Sequence, residues 1–84
     1  MARVVIYSAD YCSYCRAAKA FFTQKGIEYE EIDVSADMEE RQKLAERTGQ
    51  MTVPQIFVGE THVGGYTDLR ALDAKGGLQP LLQG

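Results

Sequence analysis

Apolar residues along the chain alternate between short β-branched runs and longer segments with helical spacing. Val4 to Tyr7 is a run typical of a buried strand. Ser13 to Lys25 has helical composition with an apolar face of alanine and phenylalanine, and Gly26 suits the position just after a helix. Ile27 to Val34 predicts a second strand, and its imperfect alternation indicates an edge strand or a bulge. The first part of the chain therefore predicts a strand–helix–strand unit.

A second helix and a hairpin are predicted further along the chain. Ser35 or Asp37 can cap the helix, which has acidic residues in its first turn, and Gly49 ends it. Two strands, Gln55–Val58 and Thr61–Gly64, flank a two-residue turn that begins with glycine, which is a hairpin signal.

The C-terminal part predicts two more helices. Thr67 or Asp68 can cap a third helix that Gly76-Gly77 closes, and the leucines between Leu78 and Leu82 predict a short helix covering the core. The predicted order is β-α-β-α-β-β-α, with the first strand pair parallel and the hairpin antiparallel. We therefore expect an α/β fold, a four-stranded mixed sheet with helices on both faces, in a single domain over residues 1–84.

Charge and composition exclude several classes of partner. The 84 residues carry a net charge of −3, with 25% charged and 45% hydrophobic residues, so no basic stripe is available for nucleic acid or an anionic membrane. No run of apolar residues reaches the length of a membrane span. The N-terminal residues lead directly into a strand without an apolar secretory segment. We therefore expect a cytoplasmic monomer.

Both cysteines of the chain lie in one motif, Cys12-Ser13-Tyr14-Cys15, where the first strand gives way to the first helix. The free N–H groups and partial positive charge of a helix N-terminus favour a thiolate. A C-x-x-C motif beside a βαβ pattern indicates a redox pair, and a disulfide closing so short a loop would restrict the unfolded chain little. Cys12, nearer the loop, is the predicted nucleophile, and Cys15, one turn inward, is the predicted resolving thiol.

Three motifs follow one another along the chain, each occurring once. They are Cys12 to Cys15, Thr52-Val53-Pro54-Gln55-Ile56-Phe57-Val58 and Gly64-Gly65-Tyr66-Thr67-Asp68-Leu69. Ala71-Leu72-Asp73 and Gly76-Gly77-Leu78 follow them. On these residues the chain resembles the glutaredoxins of the thioredoxin-fold superfamily, specifically the small bacterial type. The resemblance implies a thioredoxin-like fold. It also implies a glutathione-dependent oxidoreductase that reduces protein disulfides and glutathione mixed disulfides, with glutathione as co-substrate and no metal.

The resemblance also implies a groove for glutathione beside the first cysteine. Pro54 is expected to be a cis proline that faces Cys12. A cis bond would turn the Val53 backbone toward the site, where its N–H and C=O would pair with the glutathione backbone. Tyr14, between the two cysteines, is expected to line the groove rather than the core.

Two charged ends of glutathione need partners, and the resemblance supplies candidates for each. In the turn Gly64-Gly65-Tyr66-Thr67-Asp68, the N–H groups of Thr67 and Asp68 would hold the γ-glutamyl carboxylate, and the Asp68 carboxylate would reach the ammonium group. Glycine in this turn allows close approach of the backbone. Arg41 aligns with an arginine of similar chains and, with Thr52, is a candidate for binding the glycyl carboxylate.

An iron–sulfur cluster carrier or sensor that binds the cluster with the help of glutathione is the alternative function. A [2Fe–2S] cluster needs four thiolates, which Cys12 of two chains and two glutathiones would supply. Some glutaredoxins with a residue other than proline after the first cysteine bind clusters this way, and this chain has Ser13 there. A visible absorption band in a glutathione-containing dimer would indicate this function, and a colourless monomer with strong reductase activity would exclude it.

Overall fold

The structure, a computed structural model, describes residues 2–9, 12–35, 37–49 and 53–83. Within these residues it contains the predicted order of elements and the short terminal helix. The elements are β1 (Val4–Ser8), α1 (Ser13–Gln24), β2 (Glu30–Asp33), α2 (Met38–Thr48), β3 (Gln55–Val58), β4 (Thr61–Gly64), α3 (Tyr66–Ala74) and α4 (Leu78–Leu82).

The four strands form one mixed sheet in the order β2-β1-β3-β4. β1 pairs in parallel with β2 and antiparallel with β3, and β3 and β4 form an antiparallel hairpin, as predicted. β2 is an edge strand, but it begins at Glu30 rather than Ile27 because pairing with β1 starts where Val5 meets Glu30. The irregular register lies between Ile56 and Phe57 of the hairpin.

Apolar side chains fill both faces of the sheet. On one face Ile6 and Ile56 pack with Phe22 of α1, Leu69 of α3 and Leu78 of α4. On the other face Tyr7 and Phe57 pack with Val34 and with Leu44 of α2. This arrangement follows from the two-residue period of strands, which sends neighbouring residues to opposite faces. The prediction of helices on both faces is confirmed.

Two helices end as the sequence predicts. Asp37 is the cap of α2, and its carboxylate accepts a hydrogen bond from the Glu40 N–H at 3.0 Å. Gly49 ends α2 in the left-handed conformation, with φ of 74°, and Gly26 follows α1 with φ of 69°. Local signals therefore set these boundaries.

Strand direction brings the three motifs to the same end of the strands. Cys12 follows the end of β1, Val53 and Pro54 precede β3, and the glycine turn follows β4. Because β3 is antiparallel to β1 and β4 is antiparallel to β3, the end of β1, the start of β3 and the end of β4 lie at the same end of the sheet. Among the described residues no helix has the length and apolar character needed to cross a membrane.

Candidate active site

Cys12 is the N-cap of α1, with extended backbone, and its side chain is half-buried. Its sulfur accepts a hydrogen bond from the Cys15 N–H at 3.1 Å, in the place where a cap oxygen normally lies. The thiol also lies 3.6 Å from the Val53 carbonyl oxygen, to which its S–H can donate. The sulfur therefore sits where helix N–H groups and the helix dipole favour negative charge.

Cys15 is fully buried, and its surroundings oppose ionisation. Burial, followed by the hydrogen bond and charge of Cys12, raises the pKa of the Cys15 thiol from 9.0 to about 12. The Ala9 backbone and the Lys19 ammonium act in the opposite direction. The prediction that Cys15 is the less accessible of the two sulfurs is confirmed, and the two thiols are free rather than joined.

A polar network lies behind Cys15. The Glu31 carboxylate of β2 accepts a hydrogen bond from Ser8 Oγ at 2.6 Å and forms an ion pair with Lys19 Nζ at 2.8 Å. Lys19 and then Ser8 hold the pKa of Glu31 below its ordinary value, and Glu31 raises the pKa of Lys19. The sequence alone did not predict this network. Lys19 stands four residues after Cys15, which was a usable signal, but its partner comes from another element.

The Val53–Pro54 peptide bond is cis, as the resemblance implied. Pro54 is buried, and Val53 packs against the apolar cluster that contains Tyr7 and Leu44. This packing presents the Val53 carbonyl oxygen to the Cys12 sulfur at 3.6 Å. The second motif is therefore in direct contact with the first.

The glycine turn adjoins the same segment. A Cβ atom on Gly65 would lie 3.6 Å from the Pro54 carbonyl oxygen, and one on Gly64, where φ is 113°, would lie 2.5 Å from Asp68 Oδ2. Only glycine fits at Gly64 without displacing Asp68, because this φ is rare for L-residues and the space is filled.

The helix that follows this turn starts earlier than predicted. Its N-cap is Gly65 rather than Thr67 or Asp68, and α3 begins at Tyr66. Asp68 instead occupies the third helical position, from which its Oδ2 reaches back to accept the Gly65 N–H at 3.0 Å. Because glycine has no side-chain acceptor, the N-cap residue offers no side-chain hydrogen bond to the N–H groups at the start of α3, which lies at the same end of the strands as Cys12.

Two tyrosines connect the starts of α1 and α3. The rings of Tyr14 and Tyr66 lie 6.2 Å apart between centroids, and Tyr14 is 62% exposed. Arg70 donates a hydrogen bond to the Tyr66 hydroxyl at 2.8 Å. Tyr14 therefore lies outside the core, as expected, on an aromatic surface beside the cysteine motif.

The remaining predicted site residues are distributed as follows. Arg41 is half-buried on α2. This helix begins after β2, at the same end of the strands as Cys12, because β2 is parallel to β1. Thr67 is exposed in the first turn of α3, and Thr52 lies outside the described residues. In the part of the chain that the structure describes, no cluster of three or more histidine, cysteine or acidic side chains is arranged to hold a metal ion.

Comparison with known proteins agrees with this geometry. A family model described as Glutaredoxin matches residues 4–63. Glutaredoxin 3 of Escherichia coli K12 is 46% identical over 83 residues, which are 99% of this chain and 100% of the relative. A glutaredoxin of Pseudomonas aeruginosa is 48% identical over 98% of both chains.

Solved structures give the same result. A buckwheat glutaredoxin–glutathione complex superposes with a TM-score of 0.89 at 33% identity, covering 98% of this chain and 77% of that one. The solution structure of a Brucella melitensis glutaredoxin gives a TM-score of 0.86 at 50% identity, covering 98% of this chain and 89% of that one.

Proposed function

Because the chain belongs to the glutaredoxin family of thiol–disulfide oxidoreductases, we propose that it works with glutathione through Cys12 and Cys15. The arrangement of the two sulfurs is the observation that carries this proposal. The Cys12 sulfur lies at the start of α1, half-accessible and bonded by the Cys15 N–H, whereas Cys15 is fully buried. A substrate disulfide can therefore reach the Cys12 sulfur from solvent, whereas the Cys15 sulfur is buried inside the protein.

With a glutathionylated protein as substrate, Cys12 alone is sufficient. Its thiolate attacks the sulfur of the bound glutathione, the protein thiolate leaves and takes up a proton, and Cys12 is left as a glutathione mixed disulfide. A second glutathione thiolate then attacks the glutathione sulfur, which forms oxidised glutathione and returns Cys12 as a thiolate. The start of α1 stabilises that leaving thiolate because the helix dipole favours negative charge there.

With a protein disulfide as substrate, Cys15 completes the reaction. Cys12 attacks first, and Cys15 then attacks Cys12, which forms the Cys12–Cys15 disulfide and releases the second substrate thiol. In the mixed disulfide Cys12 carries no charge, so two of the causes that raise the pKa of Cys15 are removed. Burial remains as the obstacle to forming the Cys15 thiolate.

The contacts around Cys12 support a glutathione groove formed by the cis-proline segment and the glycine turn. The Val53 backbone, beside Cys12, is the proposed partner of the glutathione main chain, with Pro54 and Tyr14 lining the groove. The buckwheat relative, whose structure was solved with glutathione, has the same fold at a TM-score of 0.89.

The ends of the tripeptide have proposed partners on α3 and α2. The N–H groups at the Gly65–Asp68 helix start suit the γ-glutamyl carboxylate, and Asp68 suits its ammonium group. Arg41 and Thr52 remain the proposed partners of the glycyl carboxylate. Disulfide-bonded or glutathionylated proteins as substrates, a monomeric state and a cytoplasmic location also remain predictions.

Turnover of a glutathione mixed disulfide, coupled to glutathione reductase, tests the proposal. We expect Cys12→Ser to abolish all activity. Cys15→Ser should keep reduction of glutathionylated substrates and lose reduction of protein disulfides. Equal loss of both activities in Cys15→Ser would contradict the assigned roles. No contact among the described residues favours the iron–sulfur alternative over this activity.

A further inference from the structure

Lys19 and Glu31 form the ion pair that lies behind Cys15. Lys19 stands one helical turn after Cys15 on α1, a spacing that places two side chains on the same face about 5–6 Å apart at Cβ. Its ammonium is 2.8 Å from Glu31 Oε2, and the same oxygen accepts a hydrogen bond from the buried Ser8 hydroxyl. The lysine head is therefore held in place rather than free in solvent.

Opposite charges in this network act on the buried thiol in opposite directions. Lys19 favours the Cys15 thiolate, whereas the charge of Cys12 opposes it in the reduced protein and is absent from the mixed disulfide. The other ionisable groups that act on the network come from β2 and the segment before it, and they are Tyr29, Glu31 and Asp33.

We propose that Lys19, held by Glu31, is a positioning residue for the resolving step and stabilises negative charge on Cys15 as it attacks the mixed disulfide. The proposal rests on the proposed function, because it requires Cys15 to resolve a disulfide at Cys12. In the step, Cys15–SH loses its proton, and its sulfur bonds to the Cys12 sulfur. The bond from Cys12 to the substrate sulfur breaks, and the departing thiolate takes up a proton.

Replacing each partner of the ion pair in turn distinguishes an electrostatic role of the pair from a purely structural one. Lys19→Gln removes the cation that favours the Cys15 thiolate and leaves the Glu31 anion without its partner, so resolution should slow. Glu31→Gln removes the opposing negative charge but keeps an amide oxygen that can accept hydrogen bonds from Lys19 and Ser8, so Lys19 stays in place and resolution should become faster. A purely structural ion pair would give the same direction of change in both variants.

The size of the effect follows from Coulomb's law. For a charge separation taken as on the order of 6 Å and an effective dielectric constant of about 40, a unit charge changes the thiolate fraction about tenfold, which corresponds to about 1.4 kcal/mol. A stabilised thiolate is also a weaker nucleophile, with a Brønsted slope of about 0.4–0.5, so roughly a threefold change in rate remains. The two variants should therefore differ from each other by about tenfold.

The experiment follows one turnover of the reduced full-length protein with oxidised glutathione at neutral pH. Samples are quenched with acid, and mass spectrometry separates the reduced protein, the glutathione mixed disulfide and the intramolecular disulfide. We expect Lys19→Gln to slow the second step about threefold, Glu31→Gln to accelerate it about threefold and Lys19→Arg to restore it. The first step, at Cys12, should be unchanged in all three variants.

Lys25→Gln is the matched control. Lys25 follows α1 directly and pairs across elements with Asp73 at 3.2 Å, but it lies well away from Cys15. Its loss should leave both steps unchanged. Equal directions of change in Lys19→Gln and Glu31→Gln, or no change in either, would overturn the inference. Should Lys19→Gln fail to fold, the sign of the Glu31→Gln effect decides alone. A wild-type protein that forms no mixed disulfide would instead refute the proposed function itself.

Discussion

Replacing Gly64 with alanine tests how the glycine turn is built. At this position φ is 113°, and an added Cβ would lie 2.5 Å from Asp68 Oδ2, 3.0 Å from its Cγ and 3.1 Å from its Cβ. The same Oδ2 accepts the Gly65 N–H at 3.0 Å. Alanine would therefore push the carboxylate away from the bond that organises the start of α3.

Two contributions set the expected loss of stability. A positive φ costs an L-residue roughly 1–2 kcal/mol relative to glycine. Loss of a capping hydrogen bond costs about 1 kcal/mol. Together they predict that Gly64→Ala lowers the free energy of unfolding by about 2–3 kcal/mol, a large part of the roughly 5–15 kcal/mol typical of a domain.

Urea unfolding at equilibrium measures this loss, with Gly76→Ala as the matched control. Gly76 also has a positive φ, 77°, but a Cβ there would meet open space. We expect Gly76→Ala to cost only the conformational part, roughly 1–2 kcal/mol. Gly64→Ala should in addition raise the KM for glutathione, because the displaced Asp68 is the proposed partner of its ammonium group.

Asp68→Ala separates the steric contribution from the conformational one. In that background the clash with the carboxylate is gone, so Gly64→Ala should cost about 1 kcal/mol less than in the wild type. Strict additivity of the two substitutions, or equal losses for Gly64→Ala and Gly76→Ala, would refute the reasoning.

Two further predictions concern Cys15 and Asp68. In the Cys12→Ser background, burial still raises the pKa of Cys15, so the protein that keeps Cys15 should lose stability relative to the same protein with Cys15→Ala as the pH rises above 9, by at most about 1.4 kcal/mol for each pH unit. The sign follows because the raised pKa lets the unfolded chain release the Cys15 proton first, whereas below pH 9 both the folded and the unfolded state hold it. Urea unfolding of the two proteins at pH 8 and pH 10.5 measures the difference. An equal change in the free energy of unfolding of both proteins between these pH values would contradict the prediction. Asp68→Asn should keep the bond from the Gly65 N–H, because the amide oxygen can accept it, and should cost at most about 1 kcal/mol through the charge lost from the first turn of α3. It should nevertheless raise the KM for glutathione, and an unchanged KM would remove Asp68 from the proposed site.

Local signals in the sequence were sufficient to predict the elements and the place of the cysteine motif at a helix start. Strand and helix periodicity, the cap at Asp37 and the glycine at Gly49 act over a few residues, so they can be read without knowing the fold. The position of Cys12 at a helix start is local in the same sense, since it depends only on where β1 ends and α1 begins. The resemblance of the motifs added the cis proline, which the structure contains.

Contacts between distant residues were decided by the tertiary structure. The Val53 carbonyl reaches Cys12 across 41 positions, and Lys19 meets Glu31 across 12. The pairing of β1 with β2 shortened the second strand, and a carboxylate reaching back moved the start of α3 to Tyr66. Such contacts depend on the order and direction of the strands in the sheet, which no single segment encodes. For this reason the sequence predicted which thiol is the more accessible, whereas the fold alone decided what surrounds the buried one.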